Sequence, residues 1–510
     1  MGSFLKAAYP FTHNRAVSSM ALPANTTIEV RATGNDSNGG GFVAGSSGTD
    51  YSQQNSAQFS GTDLVSTSGT TNPSVVTSAS HSFVSTDVGN LIQITAGTNW
   101  TPGFYQIVSV SSGAATLDRA VGTNAALSGG TWALGGALAT PQKAFTNFIA
   151  SSVLSSDLGV IIYIKAATYT TASGFTTGIT GSSTGTPSRI VGYSTTRGDG
   201  GQATLQLSAN NETLFTYSVP GTSNASYSFE NIIWDGNNQT NSNGLNLGAS
   251  NVYVIFFNCV FKNFTYQFVF SGSSVPSYTF QRCDFLNNAL TASTAYVLAA
   301  GIAEPGIFVL ESCYFANNSG SGTLTGIICP GSGDIIVENT IFYNNTGTNF
   351  SILKSSGMTL KNCVFHSNAG TAIDNSTLYS SGHYIGPMII QNSIFTNNGG
   401  YGIIIDMPSS TMVLPAVMNN AFYNNTSGNQ SGYTSMGGDV AMTGLPYNNA
   451  PTDFGLNNTA GAGAACRGAA IPGPVGSASV VGTGYLDIGA VQHECATGSF
   501  AGVNGQWFGV

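Results

Sequence analysis

Residues 334–345 read DIIVENTIFYNN, and the same sentence is written again at 308–318 (FVLESCYFANN), 358–368 (MTLKNCVFHSN) and 388–398 (MIIQNSIFTNN). The aromatic of this motif, in most copies ahead of an Asn pair, marks a series: Trp234, Phe261, Phe285, Phe315, Phe342, Phe365, Phe395 and Phe422. Successive spacings are 27, 24, 30, 27, 23, 30 and 27 residues. The motif is tight and the spacer varies, so fixed short strands are joined by loops of changing length. A helical repeat would need long segments of 3.6-residue period, and none is present.

The columns of this alignment have distinct chemistry. Two residues before the aromatic stand Ile232, Cys259, Cys283, Cys313, Thr340, Cys363, Ser393 and Asn420, mostly small. That position shares a strand face with the aromatic, so a small and a large side chain alternate into one interior. Three before the aromatic come Asn231, Asn258, Arg282, Ser312, Asn339, Asn362, Asn392 and Asn419. Asn tolerates left-handed backbone, which a sharp bend between two strands requires. One step earlier lie Glu230, Phe257, Gln281, Glu311, Glu338, Lys361, Gln391 and Met418, a mostly polar column that should face solvent. Each repeat therefore reads as strand, Asn bend, short strand, loop. Stacked at about 4.8 Å, the eight marked coils rise roughly 34 Å around a spine of aromatic rings.

These repeats resemble those of right-handed parallel β-helix proteins, the pectate-lyase-like superfamily, and the Asn bend is similar to the asparagine ladder of that family. The resemblance covers residues 136–495. It implies an all-β solenoid with an N-terminal capping helix. GNDSNGGG at 34–41, then ATPQKAFTNFIASSVL at 139–154 and GVIIYIKAATYT at 159–170, are similar to the family's opening. Thr140 would cap that helix, Pro141 suits its first turn, and Ala144, Phe145, Phe148 and Ile149 form its apolar side. YLDIGAVQHE at 485–494 resembles a closing motif. Between the opening loop and the helix, residues 62–135 alternate in LIQIT, YQIVSV and ATLDRAV with Gly-rich turns, the pattern of a small inserted antiparallel β-domain. The expected layout is an N-terminal arm at 1–28, the start of the β-helix at 29–61, the insertion at 62–135, the solenoid at 136–495 and a tail at 496–510.

Composition narrows the function. Of 510 residues only 7% are charged, against 41% hydrophobic, and the net charge is −9. The surface must be made of Ser, Thr, Asn, Gln and the 65 glycines. With no basic patch, tight nucleic-acid binding by phosphate neutralisation is excluded. No apolar run is long enough for a membrane helix. The N-terminus lacks the continuous apolar core of a signal peptide, so synthesis in a cytoplasm without classical export is expected. The seven Cys have no CxxC spacing and the five His (His13, His81, His366, His383, His493) no ligand spacing, so neither a metal nor a cofactor is expected. Cys259, Cys283 and Cys313 should stack as small buried hydrophobes.

Many relatives implied by the resemblance cleave polysaccharides, which takes paired carboxylates. Glu311 and Glu338 should be neighbours on adjacent coils, with Asp284 one coil below on the next strand. They are the catalytic candidates if the chain is an enzyme, set against a plain solvated outer column. A β-helix joined to an accessory β-domain is also similar to structural proteins of tailed bacteriophages. That likeness implies a non-enzymatic virion component displayed on the particle surface: a fibre, spike or capsid decoration. Its implied partners are its own copies, preferentially as a homotrimer, a capsid or tail protein docked through the N-terminal region, and host-surface polysaccharide. The alternatives are a polysaccharide depolymerase or glycan-binding β-helix, and a self-assembling extracellular filament.

Overall fold

The structure is a computed structural model that describes residues 26–147, 160–177, 188–217, 225–247, 252–266, 268–270, 277–291, 294–300, 307–320, 324–329, 334–347, 351–353, 357–375, 388–405, 415–471 and 487–492. It is almost wholly β. A twelve-stranded sheet begins with Gly41–Val43 and Thr26–Val30, continues through Ile161–Lys165 and ends at Ala416–Met418. A second sheet of eleven strands runs from Thr168–Thr171 to Val440–Ala441. A third face is built from two shorter sheets, Phe175–Thr177 to Asn243–Leu247 and Phe268–Phe270 to Gly428–Ser431. Ladders between successive coils are parallel throughout the repeats, so the chain winds as a parallel β-solenoid.

The aromatic series is the solenoid's spine. Each marker pairs with the next in register, from Trp234↔Phe261 to Phe395↔Phe422. From Phe261 onward, ring centroids lie 4.3 to 5.2 Å apart, with planes within 18° of parallel. A second stack, Phe229–Phe256–Phe280, faces it from the first sheet. This is the direct consequence of a parallel stack in register: like residues meet like at strand spacing.

Every residue of the bend column is left-handed, with φ between 52° and 58° from Asn231 to Asn419. Arg282 and Ser312 adopt the same φ, at 54° and 55°, without the Asn side chain that eases it. A second left-handed bend follows the spine residue, at Asn263, Asn287, Asn317, Asn344, Ser367, Asn397 and Asn424. The second Asn of each pair does different work. Asn288, Asn318, Asn345, Asn368, Asn398 and Asn425 are buried in one continuous ladder. Each amide N–H₂ donates to the next amide oxygen and to the carbonyl of the spine residue one coil back, as Asn345 does to Asn368 Oδ1 (2.9 Å) and Phe315 O (3.0 Å). The buried asparagine ladder therefore lies one bend later than the column to which the sequence pattern assigned it. The first bend makes only broken side-chain rungs, Asn258 to Asn231 and Asn362 to Asn339, because Arg282 and Ser312 interrupt it.

The small column fills the slot beside the spine. Cys259, Cys283, Cys313 and Cys363 are buried free thiols, and each S–H donates to a backbone carbonyl of the preceding coil, such as Cys313 to Phe280 O. Thr340 and Ser393 occupy the same slot and accept from the Cys313 and Cys363 N–H groups. Burial pushes the Cys283 and Cys363 thiols well up. Since the thiolate is the reacting form, native protein should label at these four positions far more slowly than the unfolded chain. Labelling at equal rates in both states would contradict the packing described.

Strand Thr26–Val30 already belongs to the solenoid, pairing in parallel with Ile161–Lys165. The antiparallel domain is thus inserted after the first rung. Its six strands, from Phe59–Ser66 to Leu127–Leu134, close into a barrel with its own core around Leu64, Ile92, Ile94, Trp100, Ile107 and Trp132. The helix is described over Pro141–Asn147. Thr140 Oγ1 accepts from Lys143 N at 3.2 Å, and Ala144 and Phe145 are buried, Phe145 against Phe175 and Phe215. Phe148 and Ile149 lie outside the described residues.

At the other end the chain leaves the solenoid and folds back along its outside. Hairpin strands Tyr447–Asn449 and Asp453–Leu456, the short helix Gly463–Cys466 and Ile488 form a third core. That core covers the outward side chains of the second sheet at Ile341, Val364, Ile394 and Ala421. The described part of the closing motif, residues 487–492, therefore packs on a face of the solenoid, with Gly489 N donating to Asn392 O.

Candidate functional site

The polar column one step ahead of the bend runs in register along the edge of the first sheet: Gln281↔Glu311, Glu311↔Glu338, Glu338↔Lys361 and Lys361↔Gln391. Parallel pairing thus brings Glu311 and Glu338 together as neighbours on adjacent coils. Each also has a polar neighbour on its other side. Gln281 Nε2 donates to Glu311 Oε2 at 2.9 Å, one coil before. Lys361 Nζ stands 3.8 Å from Glu338 Oε1, one coil after. The Lys361–Glu338 pair is about one-third exposed and contributes at most about 1 kcal/mol.

Asp284 sits on the second sheet, in register between Val260 and Tyr314. Burial pushes its carboxyl up to about 7. Burial, then Tyr343 and Asp284, also raise the Tyr314 hydroxyl to about 12. A carboxyl poised near neutrality can give or take a proton, which is the property a general acid needs. The sign of its effect on stability follows from the shift. The unfolded group ionises near 3.8 and the folded one near 7, so stability from this group falls as pH rises between them and stays low above. Asp284→Asn should therefore raise stability at pH 8 by about 2 kcal/mol and change it little at pH 4. Urea unfolding at the two pH values tests this, and equal effects would contradict the assignment.

His366 behaves oppositely. It is buried beneath the C-terminal hairpin, edge-on to Tyr447 and Phe454, with Nδ1 2.9 Å from Thr396 Oγ1. Burial lowers it to about 4. Its ring is packed among aromatic side chains beneath the hairpin. Among the described residues, no group of three or more His, Cys, Asp or Glu side chains is arranged to hold a metal ion. No described helix is long and apolar enough to cross a membrane.

One charged cluster escaped the sequence reading. Glu29, fully buried in the first rung, is held by Arg31 at 2.8 Å, by Arg197 at 2.7 Å and by the Tyr193 hydroxyl. Arg197 also reaches Asp50 and lies 4.5 Å over the Tyr163 ring. The partners are up to 168 residues apart, so no local pattern could reveal them. The cluster pins the segment leading to the barrel onto the solenoid; its charges are consumed by one another.

With this geometry in view, comparison with known proteins gives a consistent fold. Residues 305–444 match the family described as right handed beta helix region, and the described strands of that stretch pair in parallel from coil to coil. No curated protein matches the chain. Among solved structures, Geobacillus virus E2 ORF18 is similar at 14% identity and a TM-score of 0.30, over 57% of this chain. The alignment spans 55% of the viral chain. The catalytic domain of a GH87 alpha-1,3-glucanase in complex with nigerose is similar at 11% identity and a TM-score of 0.28, over 72% of this chain and 91% of that one. At these scores neither likeness bears on function, and the fold rests on the ladder register and the family match.

Proposed function

We propose that this chain works by assembly and display: a structural component on a virion surface, as a bacteriophage fibre, spike or capsid decoration. One observation carries the reading. The stacked acids of the outer column, Glu311 and Glu338, are each engaged by a polar neighbour on the adjacent coil, Glu311 by Gln281 and Glu338 by Lys361. What the repeats do build is a rod with an aromatic spine, an internal amide ladder and a thinly charged surface. Such a surface packs against copies of itself with few charges to desolvate.

In this reading the chain forms a homotrimer, the N-terminal region with the inserted barrel docks on a capsid or tail protein, and the outer surface meets host polysaccharide. Strand Thr26–Val30 belongs to the first rung, so an arm deletion that spares the solenoid must end at residue 25. Light scattering on the purified chain should give about three times 52.3 kDa. Deleting residues 1–25 should leave the trimeric state and the thermal midpoint unchanged and abolish incorporation into particles. A monomeric mass, or incorporation that survives the deletion, would count against the reading.

A second reading, polysaccharide cleavage, is favoured by Asp284 alone, whose carboxyl near 7 suits proton donation to a leaving group.

A further inference from the structure

The opening loop GNDSNGGG and the barrel together enclose something the display role does not use. Between them runs a groove of about 610 Å³. Its walls come from the loop (Asn35, Ser37), the segment entering the barrel (Asn55) and the barrel strands (Ser60, Thr62, Thr131), with Trp132 and Ala133 along its length. The volume lies within the usual range for small-ligand sites.

No residue lining the groove is charged. The two acids nearest in sequence are already committed. Asp36 accepts from Ala139 N, Thr140 N and Thr140 Oγ1, all within 2.9 Å. Asp63 accepts from Ser80 N, from the Ser78 hydroxyl and from the Trp132 indole N–H. By contrast, the hydroxyls of Ser37, Ser60, Thr62 and Thr131 and the amide of Asn55 have no side-chain partner among the described residues. The groove thus offers hydroxyl and amide groups that both donate and accept, without a fixed charge.

Its shape is held from behind. Asn38, itself buried, donates to Asn55 O and Ala137 O at 2.8 Å each, clamping loop to linker. With its amide turned to donate, Gln93 reaches the carbonyls of Asp36 and Asn38 at 3.0 and 2.7 Å. Gly34 passes so close to the solenoid that a Cβ there would stand 2.5 Å from Leu138 O. A preformed site loses little on ordering when a ligand arrives.

We propose that this groove binds an uncharged, polyhydroxylated ligand: a neutral oligosaccharide, of which the volume takes about two or three sugar units. Sugar hydroxyls leaving water need donors and acceptors at close intervals, which the Ser, Thr and Asn side chains supply. An acidic ligand would leave water and find no counter-charge. The proposal does not rest on the display reading: binding of a soluble trisaccharide is read on the purified chain without particles, so either can fail while the other stands.

The test is calorimetric titration of the full chain at pH 7 with maltotriose, cellotriose and mannotriose, and with trigalacturonate as the acidic probe. At least one neutral trimer should bind with a Kd below about 1 mM. Asn55→Ala should weaken it roughly tenfold, and Ser60→Trp, which fills the groove, should abolish it with the thermal midpoint unchanged. If Ser60→Trp unfolds the barrel, Asn55→Ala decides. Absence of binding by all three neutral trimers, full affinity in Asn55→Ala, or trigalacturonate binding as tightly as the neutral probes would overturn the proposal.

Discussion

Phe342→Ala is expected to cost about 3–5 kcal/mol of stability, because the ring is fully buried and its loss leaves a cavity that the stack cannot close. Phe342 is held between Phe315 at 4.9 Å and Phe365 at 4.7 Å, with planes within 16° of parallel. Those neighbours are fixed by the ladders that hold their own strands, so they cannot slide together to fill the gap. Chemical unfolding of the variant checks this. A loss under about 1 kcal/mol would mean that the spine is not a close-packed column. Phe342→Leu, which keeps most of the volume, should recover a large part of the loss.

Asn345→Leu should be comparably severe, for a different reason. The side chain is fully buried and close in shape to Leu, so little volume changes. What disappears is a set of four hydrogen bonds: to Phe315 O and Asn368 Oδ1, and from Asn318 N and Asn318 Nδ2. Leaving buried partners unmet costs about 1–3 kcal/mol each, so a total on the order of 4 kcal/mol is expected after relaxation. Its neighbour Asn344 is the control. It is exposed, with φ 49°, and its side chain donates to Asn317 Oδ1 one coil back, outside the buried ladder. Asn344→Ala should cost only about 1 kcal/mol, the strain of a left-handed residue without the Asn side chain. Thermal unfolding of the pair separates the two roles; equal losses would contradict the assignment of the ladder to the second Asn.

The pairing of these two asparagines also shows what the sequence can and cannot express. Phe342 and its column were legible because identical residues recur at a fixed place in each motif, and parallel stacking in register turns that recurrence into contact. The left-handed bends were legible because Asn favours that backbone, and even Arg282 and Ser312 follow the column. The two members of each Asn pair are one letter repeated, and nothing local says which side chain turns inward. Burial decides it: the second Asn faces the interior and must meet every hydrogen bond there, so it forms the unbroken ladder. The candidate site was legible only as a column. Register placed Glu311 beside Glu338 as the spacing required, but their contacts with Gln281 and Lys361 depend on side-chain geometry that spacing does not encode. The raised carboxyl of Asp284 comes from burial, which residue spacing does not encode. The Glu29 cluster and the barrel groove join segments distant in sequence, and each is visible only in three dimensions.

The central claim, that this rod acts by assembly and not by turnover, meets its most direct test in one incubation. Purified chain is mixed with host-surface and common acidic polysaccharides at neutral pH and scored for new reducing ends and unsaturated products. The account predicts no product above that of Glu311→Gln, Glu338→Gln and Asp284→Asn variants treated identically. Robust cleavage by the native chain that any of these substitutions removes would contradict it and make the chain a depolymerase.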